Sequence, residues 1–304
     1  MSNHYSRRAL LGASIGTAAA LSLAGDNSKP RLGVVTRIGE KVSPDEAIAK
    51  VHAFGLPTCQ VSAGPAPDIR MAAPLKQALE KYDVEATAIM TLGPGPMVWD
   101  FYSGPQTIGI VPEATRAARV HALKQASDLG AACRVKAVHT HCGFIPENPN
   151  DPLYAETVRA IQDVAGYCKG NGQIFLMETG QESPVTMLRA IEDAGTGNIH
   201  VNLDTANLIL YGKGEPVGAL DVLGKYVRGL HAKDGMYPVD PKKLGREVAI
   251  GQGRVNFPGV VEALHRLRYT GPITIEREIS GPQQETDIRN AITFLERLIS
   301  STYA

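Results

Sequence analysis

Eight short apolar runs, each followed by a helical pattern, recur along the chain and constrain its fold more than any other feature. The predicted strands cover residues 31–36, 57–62, 84–91, 134–140, 174–178, 199–204, 227–233 and 273–276. Strands that alternate with helices pair in parallel, and eight such units are the count of a (β/α)₈ barrel. The length of 304 residues suits one barrel, since such domains take about 250 residues or more. We therefore predict an α/β fold, a single-domain (β/α)₈ TIM barrel.

A doubly wound parallel sheet is the main alternative with the same alternation. That fold usually has a glycine-rich, phosphate-binding turn after its first strand, and no such turn follows Thr36. Gly251-Gln252-Gly253 lies late in the chain, after a long loop. We interpret these residues as part of a loop rather than as a cofactor-binding site, so the barrel remains the favoured fold.

The first residues have the pattern of an export signal. Arg7 and Arg8 precede an uncharged apolar run from Ala9 to Ala24, which is shorter than the roughly 20 residues of a membrane-spanning helix. Ser22-Leu23-Ala24 offers a small-x-small cleavage site. We predict a twin-arginine signal over residues 1–24, a barrel domain over residues 25–304, and a periplasmic or otherwise exported mature protein with no membrane span.

Composition excludes several other classes of protein. Lysine and arginine total 31, and so do aspartate and glutamate, a balance that gives no support for nucleic-acid binding. Four cysteines occur without a C-x-x-C pair, so we predict buried thiols rather than a zinc knuckle or a redox motif.

Polar side chains close the last four predicted strands, at the end of a barrel where active sites lie. They are Glu178, Asp204, His231 and Glu276. The two-residue period of a strand places all four on inward faces. Carboxylates brought that close repel unless a cation or protons compensate. One imidazole and three carboxylates suit Mn²⁺, Co²⁺, Zn²⁺ or Mg²⁺, so the pattern predicts one divalent metal ion.

The motifs around these residues resemble a known family. They are Met177–Gly180 (METG), Asn202–Asn207 (NLDTAN), His231–Gly235 (HAKDG) and Ile273–Glu278 (ITIERE), together with Val138–Gly143 and Gly251–Phe257. Their order resembles the xylose isomerase-like TIM-barrel superfamily. Within it, the closest likeness is to the sugar phosphate isomerase/epimerase branch that includes ketose 3-epimerases. The resemblance covers nearly the whole predicted barrel domain.

The resemblance implies a ligand set and a pair of catalytic groups. In ketose epimerases four such residues bind one metal, and by motif these fall on Glu178, Asp204, His231 and Glu276. The two glutamates also act as the acid/base pair, a role that Glu178 and Glu276 inherit. Asn207 stands where those epimerases carry a substrate-contacting histidine. The branch also commonly forms homodimers or homotetramers.

Other residues are weaker candidates for contacts with a carbohydrate substrate. They are His139, His141, Lys233, Asn207 and Trp99. The two histidines share a face of the fourth strand, Lys233 can neutralise an enolate, and the aromatic loop of Trp99 can stack on a sugar ring. Three further expectations are structural: Arg277 faces the helices, Asp234 holds a loop, and Glu182 pairs with the dipole of a helix.

Three functions remain open at this stage. The first is a divalent-metal-dependent sugar isomerase or epimerase that acts through an enediolate, with Mn²⁺ expected and Co²⁺, Mg²⁺ or Zn²⁺ as alternatives. The second is a metal-dependent lyase that eliminates the aglycone from 3-keto-glycosides. The predicted export favours this function, because glycosides are more plausible substrates outside the cytoplasm than sugar phosphates are. The third is a non-catalytic, exported sugar-binding protein.

Overall fold

The computed structural model describes residues 29–304, so the predicted export signal lies outside the described residues. Eight parallel strands close into a barrel with helices between them, which confirms the predicted fold. In chain order these strands are β1 (Arg31–Arg37), β2 (Thr58–Ser62), β3 (Glu85–Met90), β4 (Ala137–His141), β5 (Ile174–Glu178), β6 (Ile199–Asp204), β7 (Val227–Ala232) and β10 (Pro272–Ile275). Two short antiparallel strands, β8 (Asp234–Met236) and β9 (Arg246–Val248), form a hairpin in the loop after β7.

The helices surround the barrel, and several begin at a capping side chain or a proline. They are α1 (Pro44–Ala53), α2 (Ala72–Tyr82), α3 (Gly104–Thr107), α4 (Glu113–Ala132), α5 (Pro152–Gly170), α6 (Pro184–Ala194), α7 (Asn207–Leu210), α8 (Pro216–Leu223), α9 (Phe257–Arg266) and α10 (Pro282–Thr302). At the start of α1, Ser43 and Glu46 form a reciprocal capping box. Ser43 caps the N–H of Glu46, and the backbone N–H of Ser43 donates to the Glu46 carboxylate at 2.9 Å.

Three local features differ from the sequence-based prediction. The fourth strand begins at Ala137 rather than at Arg134, because Arg134 has a left-handed φ of 64° that no strand can contain. The sequence pattern predicts a helix near residues 218–226, whereas α8 covers Pro216–Leu223 and a separate 3₁₀ turn covers Gly224–Tyr226. The β8–β9 hairpin was not predicted, because three-residue strands are too short to show a two-residue period.

The apolar core lies mainly between the barrel and its helices. One continuous cluster of buried side chains occupies this layer, whereas a small separate cluster lies apart from it: Ala88, Ala137, Ile174 and Leu176. Several buried positions on the barrel strands are polar instead, including Thr58, Gln60, Asn202 and Thr274. Burial of the outer layer therefore provides most of the hydrophobic stabilisation, and the strands can present polar groups without losing it.

Two expectations about composition can be compared with the described residues. All four cysteines are buried and free, as predicted. Over residues 29–304, no helix combines the length and apolar character needed to cross a membrane.

A buried arginine fixes the path of the loop that follows β3. Arg119, on α4, is 0% exposed, and its guanidinium donates to the carbonyl oxygens of Pro94, Pro96 and Gly109 at 2.6–3.0 Å. Gly93 allows this approach, because a Cβ there would lie 2.9 Å from the Arg119 Cα. Burial lowers the pKa of Arg119. The loop that carries Trp99 is therefore held by the helix behind it.

We expect Arg119→Met to destabilise the protein by about 3 kcal/mol, because three backbone carbonyl groups, including the buried one of Gly109, lose a charged donor. Urea denaturation would measure this loss. The matched control is Arg159→Met at an exposed position of α5, which should change the free energy of unfolding by less than about 0.5 kcal/mol. Equal stability of the two variants would contradict the anchoring role.

Candidate metal centre

Four predicted ligand residues converge at one end of the barrel. Glu178 ends β5, Asp204 ends β6, His231 lies one residue before the end of β7, and Glu276 follows β10. These strands are consecutive neighbours in the closed sheet. One ligand atom from each residue lies within 4.8 Å of the others. The structure thus brings together the four groups that the strand-end argument selected.

Glu178 is the carboxylate of the cluster that contacts three histidines. Its Oε1 lies 2.9 Å from His231 Nδ1. Its Oε2 lies 3.0 Å from the Nε2 atoms of both His139 and His141. The register of β4 with β5 pairs His141 with Glu178 and so sets this contact. Burial opposes ionisation, but the three imidazoles hold the pKa of Glu178 well below its usual range.

Asp204 has one oxygen fixed and one oxygen unpaired. Its Oδ1 accepts the backbone N–H groups of Ala206 and Asn207 at 2.8 and 2.6 Å. Among the described residues, its buried Oδ2 has no hydrogen-bond partner. Burial raises the pKa of Asp204 well above its usual range, and the neighbouring carboxylates Glu178 and Glu276 raise it further. A divalent cation would supply the missing partner for Oδ2, so the donor set fits a metal.

Lys233 and Glu276 form an ion pair at the edge of the cluster. The Lys233 Nζ lies 3.1 Å from Glu276 Oε2 and 3.0 Å from Glu278 Oε1. Although burial opposes it, the nearby carboxylates hold the pKa of Lys233 well above its usual range. Burial likewise opposes ionisation of Glu276, but Lys233 and His231 lower its pKa. Both residues are therefore charged at neutral pH.

The remaining substrate candidates surround this cluster. The Asn207 side chain donates to Glu178 Oε1 and accepts from Lys233, each at 3.4 Å. The His141 ring packs edge-on against Trp99 with 5.2 Å between ring centroids, and Trp99 is 43% exposed. His139 is completely buried, and burial lowers its pKa. The geometry places all five candidates near the mouth, and their contacts with substrate stay predictions.

Two structural expectations agree with the observed contacts. The Asp234 carboxylate accepts the backbone N–H groups of Gly251, Gly253 and Val255 at 2.8–3.1 Å. Asp234 therefore ties the end of β7 to the loop before α9, and the Gly-Gln-Gly segment forms part of that loop. Arg277 turns away from the cluster and contacts Asp287 at 2.8 Å and Glu247 at 2.9 Å.

The expectation for Glu182 was wrong. Ser183, rather than Glu182, caps α6. Glu182 is 2% exposed, and neither of its carboxyl oxygens has a hydrogen-bond partner within residues 29–304. Burial raises its pKa to about 8. A polar residue beside a helix start is usually solvated, and the sequence shows no local sign of this burial.

Sequence reasoning also missed Gln60, which contacts a predicted metal ligand. Gln60 lies on β2, is 0% exposed, and its Oε1 is 2.8 Å from His231 Nε2. The available signal is a single amide in the otherwise apolar run Cys59–Val61, in phase with Thr58. Applied to β2, the same two-residue period would have placed Gln60 inside the barrel.

A closed parallel barrel with a buried carboxylate and histidine cluster at its mouth defines the class of protein. Residues 48–298 match the family model described as Xylose isomerase-like TIM barrel, and the chain belongs to that family. A solved structure of a xylose isomerase domain protein from Planctomyces limnophilus is 34% identical, with a TM-score of 0.83. The match covers 90% of this chain and 99% of that chain.

More distant solved structures share the fold. A D-allulose 3-epimerase from Methylomonas sp. is 17% identical with a TM-score of 0.63, covering 88% of this chain and 98% of that one. A 3-keto-D-glucoside 4-epimerase from E. coli is 13% identical with a TM-score of 0.63, covering 88% and 100%. No curated protein sequence matches the chain. At these identities the likeness establishes a common fold.

We expect Asp204→Asn to weaken Mn²⁺ binding by more than about 100-fold, because the side chain loses the unpaired anionic oxygen that faces the cluster. Isothermal titration calorimetry would measure the Kd, and elemental analysis the bound ion. The control is Asp193→Asn, an exposed carboxylate on α6 that contacts Tyr154. Similar Mn²⁺ affinities for both variants would contradict the assignment of the site.

We expect Glu182→Gln to stabilise the protein increasingly as pH rises from 4.5 to 8. In this interval the unfolded chain ionises Glu182, whose ordinary pKa is 4.5, whereas the folded protein keeps the proton up to about pH 8. Wild-type stability therefore falls with rising pH, and the glutamine variant escapes this loss. Urea denaturation should show a gain of about 4 kcal/mol at pH 8 and little difference near pH 4.5.

Glu147→Gln provides a control of opposite sign. Although partial burial opposes it, hydrogen bonds from Thr186 and Ser183 lower the pKa of Glu147. Its ionised form stabilises the folded state above the unfolded pKa, so Glu147→Gln should be destabilising near neutral pH and less so in acid. The same pH trend for both variants would refute the assignment of Glu182 as a protonated group.

Proposed function

We propose that this chain is a divalent-metal-dependent sugar isomerase or epimerase that moves a proton on a carbon next to a carbonyl group. The observation that carries the proposal is the placement of two carboxylates, Glu178 and Glu276, in one buried cluster with Asp204 and His231. Such a set combines a cation site with two groups able to exchange protons. Family membership supports the same class of chemistry.

Glu178, Asp204, His231 and Glu276 would hold the ion. When bound, a divalent ion supplies Lewis-acid stabilisation of the negative oxygen that develops as the proton leaves. We propose Mn²⁺, with Co²⁺, Mg²⁺ and Zn²⁺ as alternatives, because mixed imidazole and carboxylate ligands suit these ions.

Glu178 and Glu276 would transfer the proton. Both have pKa values lowered by cationic neighbours, so both are carboxylates able to accept a proton. One carboxylate would remove the proton from the carbon, and the other, after taking up a proton from solvent, would deliver it to the carbon. Return to the opposite face of the same carbon gives an epimer, whereas return to the neighbouring carbon interconverts an aldose and a ketose.

Lys233 and the residues around it would hold the reacting sugar. The Lys233 ammonium lies within 3.1 Å of Glu276, so it can stabilise both the carboxylate and an adjacent enolate oxygen. His139, His141 and Asn207 surround Glu178 and would bind hydroxyl groups. Trp99, half-exposed against His141, offers an aromatic face for a sugar ring.

The second candidate function is a lyase that acts on 3-keto-glycosides. The same cluster would remove the proton from C2, after which the C1–O bond breaks, a C1=C2 double bond forms, and the aglycone leaves as an alcohol. The fold shared with a 3-keto-D-glucoside 4-epimerase favours it, and the export that the sequence predicts is in line with a glycoside substrate. We propose twin-arginine export to the periplasm on the sequence pattern alone, and a homodimer or homotetramer on the family resemblance.

Hydrogen exchange with solvent would test the proposed chemistry. Mn²⁺-loaded protein is incubated in D₂O with ketoses and with 3-keto-glycosides, and the products are analysed by mass spectrometry and NMR. We expect deuterium in a recovered sugar with no bond cleaved, and we expect Glu178→Gln and Glu276→Gln each to lower the rate by at least about 100-fold. The control is Glu192→Gln, an exposed carboxylate on α6.

The outcomes separate the candidates. Release of an aglycone with a C1=C2 product would establish the lyase instead of the isomerase. Binding of sugars without exchange for any substrate, unchanged in Glu178→Gln, would establish a non-catalytic binding protein. Exchange that survives in both glutamate variants would refute their role as the acid/base pair.

A further inference from the structure

His231 can bind a metal through Nδ1 only in one tautomer. Its Nδ1 faces the cluster, 2.9 Å from Glu178 and 3.4 Å from Glu276. A neutral imidazole carries its proton on one nitrogen and a lone pair on the other. Because a metal takes the lone pair, the proton must reside on Nε2, and that nitrogen needs an acceptor in a fully buried position.

Gln60 supplies this acceptor. Its Oε1 lies 2.8 Å from His231 Nε2. The opposite end of the same amide, Nε2, donates to Asn202 Oδ1 at 3.0 Å. Because its nitrogen donates to Asn202, the Gln60 amide directs its oxygen toward the imidazole. An amide oxygen can only accept a hydrogen bond. All three side chains are 0% exposed, so neither contact faces bulk solvent.

The backbone makes room for this amide pair. The pairing of β2 with β3 shifts register between Cys59 and Gln60, and the pairing of β6 with β7 shifts between Val201 and Asn202. Register shifts of this kind re-aim side chains near functional sites. Gly229 completes the space, because a Cβ there would lie 2.5 Å from Asn202 Oδ1. Three strands are thus adapted to the same contact.

We propose that Gln60 is a positioning residue for the metal centre, which holds the proton of His231 on Nε2 and leaves the Nδ1 lone pair for the ion. The inference rests on the proposed metal site. Gln60 touches neither the reacting sugar nor the ion and acts only through His231. Outer groups that orient a ligating histidine typically change metal affinity 10- to 100-fold when they are removed.

Three variants test the assignment by Mn²⁺ affinity, measured by calorimetry. Gln60→Leu removes the acceptor, and we expect its Kd to rise by about 10- to 100-fold. Gln60→Glu keeps an acceptor oxygen at the same position, and its Kd should stay within about threefold of wild type. The control is Gln173→Leu, which removes another buried amide, one bonded to Val135 rather than to a metal ligand. It should bind Mn²⁺ as wild type does.

The tautomer itself gives an independent readout. Long-range ¹H–¹⁵N NMR of the Zn²⁺-loaded protein should show His231 protonated on Nε2 in wild type and in Gln60→Glu. In Gln60→Leu that proton signal should broaden or vanish. Equal Mn²⁺ affinity of Gln60→Leu and wild type overturns the role of Gln60 alone, as does an equal loss in Gln60→Leu and Gln60→Glu. A wild type that binds no divalent ion overturns both this inference and the proposed function.

Discussion

The structure depends on the electrostatic balance of three carboxylates that converge inside a closed barrel. Parallel strands must all end at the same mouth, so Glu178, Asp204 and Glu276 are forced together by topology. Buried like charges at this separation destabilise the fold unless cations accompany them. The chain provides His231 and Lys233, and within residues 29–304 it leaves Asp204 Oδ2 without a hydrogen-bond partner. That imbalance, rather than any single contact, is the reason to propose a divalent ion at this site.

Much of the fold and of the site could be predicted because both depend on the local periodicity of side chains along strands and helices. A two-residue alternation in a strand determines which side chain faces inward, and the last inward residue of a barrel strand lies at the mouth. Glu178 and Asp204 are the final residues of β5 and β6 and follow this rule directly. Family motifs then assigned chemistry to positions that geometry had already selected.

The features that could not be predicted depend on contacts between distant parts of the chain. Gln60 and His231 are 171 residues apart, and nothing in the run around Gln60 indicates an imidazole partner. Burial of Glu182 follows from the packing around α6, so a rule about helix ends assigned it incorrectly. The left-handed Arg134 depends on how α4 meets β4, and arginine has no intrinsic preference for that conformation. The strand period places Gln60 inside the barrel but does not identify its partner, and local patterns carry no information about Glu182 or Arg134.

The carbonyl groups held by Arg119 have an evolutionary consequence. Arg119 holds the backbone of the loop after β3 at Pro94, Pro96 and Gly109, so the half-exposed Trp99 lies on a backbone that is anchored from the helix side. An exposed position of this kind can diversify without unfolding the scaffold or displacing the strand-end residues across the mouth. Under the proposed function, selectivity for a new sugar would evolve by exchanging such an aromatic group, while the four proposed ligand residues stay the same.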